Sequence, residues 1–101
     1  MNSEQLVEQA RARFDHEVAR KALKEKYQAK MLFGWNGGMF RATPEMITFL
    51  SLYGDEEIVA LDLYENPIKF RASDVCNLMK ARFQEQMNAW LVEYNQFSNN
   101  R

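Results

Sequence analysis

From residue 3 to residue 30 the apolar side chains Val7, Ala10, Phe14, Val18, Ala22 and Ala29 recur at the period of an α-helix and lead on to Leu32. Ala19, Leu23, Tyr27 and Met31 flank this stripe. The intervening positions are rich in Glu, Gln, Lys and Arg, with neither Gly nor Pro, so one long helix over 3–30 is predicted. At about 1.5 Å per residue it is a rod of roughly 42 Å, longer than the ~34 Å across of a compact chain of this size. Part of it must overhang its own core or lie against another chain.

The period then shortens. "MLFGWNGGMFRAT" places apolar runs on either side of Asn36-Gly37-Gly38, a triplet suited to the positive φ angles of a tight hairpin, and predicts strands at 31–35 and 39–42. Thr43, Pro44 and Glu45 read as an N-cap, a first-turn proline and an acid at the positive end of a helix dipole. That helix spans 44–53 and ends at Gly54. Its Met46, Ile47, Phe49, Leu50 and Leu52 leave little polar surface, which predicts a central position. A second hairpin follows over 57–72, turning at Glu65-Asn66-Pro67. Ser73 and Asp74 offer a second cap, and a last helix runs over 74–97 with Phe83, Met87, Trp90, Tyr94 and Phe97 on one face.

Phe40-Arg41-Ala42-Thr43 returns thirty residues later as Phe70-Arg71-Ala72-Ser73, each time after a hairpin turn and before a helix. The predicted fold is a single α+β domain ordered α-ββα-ββα, with two long flanking helices and a ββα unit written twice. Shared strand-to-helix grammar produces such an echo as readily as true internal symmetry, and the residues alone leave both readings open. Alternation puts Phe and Ala toward the core and Arg outward. Arg41, Arg71 and Lys69 are then surface cations, read as pairing with Asp62 or Glu57.

Composition changes this picture little. The chain has 101 residues, 47% apolar and 27% charged, which is ordinary for a globular domain. Its formal net charge of −1 argues against a protein held to nucleic acid by its overall field. The first residues are polar and regularly charged, giving no signal-peptide core and no membrane span, so a cytoplasmic location is expected. Cys76 and His16 are the only cysteine and histidine, too few for a cysteine/histidine zinc site, and no metal or cofactor is expected. His16, between Asp15 and Glu17, reads as solvated. Cys76 falls on the apolar face seven residues before Phe83 and reads as a buried structural thiol. No catalytic constellation is expected.

Two surfaces remain. Tyr, Trp, Phe and Met are enriched in interface cores, so Phe83, Met87, Trp90, Tyr94 and Phe97 are the candidate partner-binding residues; packing of the same face on the first helix, antiparallel and within one chain, is the competing explanation. A homodimer sharing helix faces would bury the overhang. The alternative is a nucleic-acid contact through Arg20, Lys21, Lys24, Lys26 and Lys30, helped by Arg41 and Arg71. "QEQMNAWLVEYN" and "LYENPIKF" resemble small uncharacterised proteins of large tailed bacteriophages. The resemblance implies a viral accessory or assembly protein in the host cytoplasm and assigns no residue a role.

Overall fold

The computed structural model describes residues 2–99. Its elements run α1 (Ser3–Ala29), β1 (Leu32–Trp35), β2 (Gly38–Arg41), α2 (Pro44–Ser51), β3 (Glu57–Leu61), β4 (Pro67–Arg71) and α3 (Ala72–Asn99). Each strand pair is an antiparallel hairpin forming its own two-stranded sheet. The predicted α+β order is therefore the observed one. Asn2 opens α1 with a capping box, its side chain accepting from Gln5 N while Gln5 returns a bond to the Asn2 amide.

The two hairpins use equivalent ladder positions for the echoed residues. Phe40 lies opposite Phe33 and Arg41 opposite Leu32; Phe70 lies opposite Ile58 and Arg71 opposite Glu57. One residue on, the Ala42 amide donates to Met31 O and the Ala72 amide to Glu56 O, both at 2.9 Å. Ala42 and Ala72 are buried, the two arginines exposed. The phenylalanine rings meet edge to face at 5.4 Å, so the echo is one place where the two units touch. Around that contact gather Met31, Leu50, Val75, Cys76 and Met79, all buried.

After the echo the units diverge. Thr43 caps α2 as predicted, its Oγ1 accepting from Met46 N at 3.1 Å. Ser73 is not a cap, because α3 begins at Ala72 directly from the last strand residue, which leaves Ser73 inside the first turn. The central position predicted for α2 is also corrected. Leu50 is buried and Met46 and Ile47 half-buried, but Phe49 and Leu52 are exposed, since α2 rests on α3 along one side and turns the other outward, where Phe49 meets only the Tyr53 edge among the described rings. It ends at Ser51 rather than 53, and the chain turns away to Gly54, whose φ is 56°.

The first turn needs only two residues, Asn36 (φ 49°) and Gly37 (φ 84°), a pair of left-handed conformations that suits an Asn-Gly hairpin. Gly38 is a strand residue with a different duty. A Cβ there would stand 2.7 Å from Ile68 Cγ1 and 3.1 Å from a Phe40 ring carbon, so its missing side chain lets β2 pass close to β4.

Asp62 completes the union of the hairpins. Buried at the start of the second turn, it accepts from the Asn66 amide (2.9 Å), from the Met39 amide of β2 (3.0 Å) and from the Tyr64 amide (3.0 Å). Met39 O in return accepts from Leu63 N at 2.7 Å. These backbone donors, Asn66 first and then Met39, hold the Asp62 carboxyl below the usual carboxylate range. Asp62 therefore does not pair with the strand cations as expected. Arg71 instead donates from Nη1 to Asp55 O at 2.8 Å.

Gly38→Ala forces Ile68 and Phe40 to shift and should cost about 1–3 kcal/mol in chemical denaturation. Gly34→Ala meets only an ordinary 3.7 Å contact with Gly38 O and should stay within about 0.5 kcal/mol of the parent. Equal effects would contradict the close approach.

Candidate functional site

α1 and α3 run antiparallel and leave the ββα core together as a two-helix arm. Their contacts step in opposite directions along the two helices. Lys30 O accepts from Arg82 Nη1 at 3.4 Å, Tyr27 stacks on Trp90 at 6.0 Å, and His16 stacks on Phe97 at 4.6 Å with the rings 16° from parallel. The arm stretches the molecule to 65 × 25 × 20 Å. His16 is thus half-buried on an aromatic ring, not the solvated histidine its charged neighbours suggested.

The polar knot of the arm is Glu93. It accepts from Lys26 Nζ at 2.5 Å and from the Tyr27 hydroxyl. The Lys26 bond, with the Tyr27 bond second, draws the Glu93 carboxyl below its ordinary range. The same carboxylate raises the pKa of Lys26 and of Tyr27. Lys26 and Lys30 both stand 5.3 Å from the Tyr27 ring centroid, within cation–π range.

The face that α1 turns to α3 is not the stripe its periodicity emphasises. Residues two apart on a helix point about 200° from each other, so the line of His16, Leu23 and Tyr27 is opposed to the line of Val7, Phe14 and Val18. Tyr27 is buried and His16 and Leu23 are half-buried. Phe14 is 67% exposed and Val18 51%. Residues 2–15 are all exposed, and 3–13 extend past the level of Phe97. Of the flanking set Leu23, Tyr27 and Met31 pack while Ala19 is exposed, and the main stripe from Val7 to Ala29 stays in water.

The five aromatic-face residues of α3 divide along its length. Phe83 and Met87 pack against the core; Trp90 and Phe97 are half-covered by Tyr27 and His16; Tyr94 is 45% exposed. Leu91, not among them, is 57% exposed beside Tyr94. Between the helices runs a groove of about 660 Å³ with Phe14, Val18, Leu23, Trp90 and Tyr94 as its apolar lining. A shallower hollow of about 250 Å³ adjoins it at Met87 and Leu91.

The basic candidates are scattered by comparison. Arg20, Lys21 and Lys24 line the groove, but Arg20 is ion-paired with Glu17. Lys26 is held by Glu93. Arg41 and Arg71 are exposed on the two hairpins. Cys76 is buried, its Sγ 3.6 Å from Ile47 O, as expected of a structural thiol. Among the described residues no three His, Cys, Asp or Glu side chains gather as a metal site, and no helix is long and apolar enough to cross a membrane. Comparison with protein families, with characterised proteins and with solved structures finds no match.

Because folding lowers its pKa, Glu93 contributes stability that is present above the ordinary value of 4.5 and is lost as pH falls through its folded value. The thermal midpoint of Glu93→Gln should lie below the parent's at about pH 6, and the gap should shrink as pH falls below 4.5. The Asp62 carboxyl is drawn below its ordinary range as well, but it is present in both proteins, so the difference isolates Glu93. A gap that does not change with pH would contradict the ion pair.

Proposed function

We propose that this chain is a non-enzymatic protein–protein interaction or assembly module whose contact surface is the open flank of its two-helix arm. The observation that carries the proposal is the groove on that arm, with Phe14, Val18 and Tyr94 exposed along it and Leu91 beside it. A monomeric surface rarely strings together large side chains in this way without a partner to cover them. Tyr94 and Trp90 are residue types that dominate interface cores. Phe83 and Met87 anchor α3 to the core and so hold the exposed part of the helix in place, while Phe97 braces its far end against His16.

Assembly as a homodimer is part of the proposal, because a second arm is a surface of matching length and character. A role as a viral accessory protein follows only from the resemblance of the last helix and β4. The alternative reading is a nucleic-acid contact, favoured by Arg20, Lys21 and Lys24 at the groove. It is weaker, since Glu17 and Glu93 already engage two cations of that stretch and the net charge is −1.

A photo-crosslinking residue at Leu91 should give protein adducts in the producing cell, with the chain itself or with another protein, in clear excess over the same residue at the exposed Glu57 of β3. Equal yields at the two positions would overturn the assignment. Retention of the purified chain on DNA or RNA that weakens steeply with salt would overturn it in favour of the basic groove.

A further inference from the structure

The charges of α1 are arranged antisymmetrically about Phe14. Moving outward in both directions, Arg13 answers Asp15, Arg11 answers Glu17, Glu8 answers Arg20 and Glu4 answers Lys24. Val7 answers Lys21, so no like charges are matched anywhere from 4 to 24. The same centre relates the apolar pairs Ala10 with Val18 and Leu6 with Ala22, and places Phe14 opposite itself. Phe14 also stands in the middle of the stripe that α3 leaves uncovered.

We infer that the partner of this stripe is a second copy of the chain, its α1 packed antiparallel on the first with Phe14 at the twofold axis. The inference rests on the reading of the arm as a contact surface and names what covers it. In a symmetric antiparallel pair, residues on the same flank of the two helices meet. On one flank Arg11 then lies within about a helical residue or two of the partner's Asp15, and on the other Arg13 lies as close to the partner's Glu17. Each contact occurs twice.

The overhang supplies the second argument. Residues 3–13 are exposed throughout among the described residues, and the segment of α1 that lines the groove spans 14–24, an equal length. Antiparallel pairing about Phe14 lays each overhang beside the other copy's groove segment. Its acidic end, Glu4 and Glu8, comes to the level of Arg20, Lys21 and Lys24 across the seam, an attraction between regions of opposite charge and not between facing pairs. Parallel pairing does the opposite, setting the cations of 20–30 against one another and leaving both overhangs side by side beyond the arms. Apolar burial along Val7, Ala10, Phe14 and Val18 drives association, and the charge order selects its direction.

The test is a charge exchange followed by sedimentation or light scattering. The parent chain should reach twice its 11.9 kDa mass with rising concentration. Arg11→Glu with Arg13→Glu in one chain, and Asp15→Lys with Glu17→Lys in another, should each weaken self-association about tenfold or more, while an equimolar mixture restores a dimer containing one of each. All four positions are exposed, and far-UV circular dichroism checks that both variants keep the parent's helix content. Phe14→Ser, which removes apolar surface without changing charge, should weaken the dimer to a similar degree. A parent mass fixed at 11.9 kDa, or exchanged chains that associate as tightly as the parent, or a mixture that fails to pair, would overturn the inference. If the parent stays monomeric while Leu91 still captures another protein, self-pairing falls and the arm remains a contact surface. If the exchange behaves as stated but Leu91 captures nothing, the α1 seam stands and the groove reading falls.

Discussion

α1 is fastened to the rest of the molecule along a single line. His16 on Phe97 and Tyr27 between Trp90 and Glu93 are its half-buried or buried points of contact with α3, and the half-buried Leu23 lines the groove on the same line of the helix. A helix in a globular core ordinarily buries a stripe about 100° wide. Here one fully buried side chain, Tyr27, serves a 27-residue element. The cause lies in how little core there is. Two short hairpins and α2 bury Val75, Cys76 and Met79 in the first turns of α3 and half-cover Phe83 and Met87, and farther out α1 and α3 lean on each other.

The compact end is well determined for its size. Phe40 on Phe70, the Asp62 carboxylate between β2 and its own turn, and the absent side chain of Gly38 fix how the hairpins cross. Asp62 does the work of a missing strand pair, because Met39 bonds to that turn where a third strand would have lain. With the core locked, α3 leaves it at a fixed direction and carries Trp90, Glu93 and Phe97 outward as a rail for α1. The open flank of the arm is therefore the consequence of a small, rigid base holding a long, thinly covered pair of helices. That arrangement suits a protein whose remaining apolar surface is covered by another chain.

Much of this was legible in the residues. Helix period, the Asn-Gly turn, the Thr43 cap and the Phe-Arg-Ala echo give the element order directly, because each is set by neighbours close in sequence. What escaped depends on which surfaces meet. Periodicity marks Val7, Ala10, Phe14 and Val18 as the stronger stripe of α1, yet α3 takes the opposite line, where the Tyr27 hydroxyl donates to Glu93. Asp62 looked like a surface acid because nothing local announces that Met39, more than twenty positions earlier, will donate to it. Gly38 sits beside a glycine that needs positive φ, and sequence alone gives both the same explanation. Within the candidate site, Trp90 and Tyr94 were found by their type and spacing, whereas Leu91 lies off the predicted face and becomes notable only through its exposure.

The two helices project from the core as an extended arm, and the rest of the molecule's behaviour depends on it. Small-angle X-ray scattering, extrapolated to zero concentration so that single chains are observed, measures this directly. The account predicts a radius of gyration near 19.2 Å. A value near 13 Å, that of a compact chain of about 100 residues, would mean that α1 folds back onto the hairpins and would contradict it.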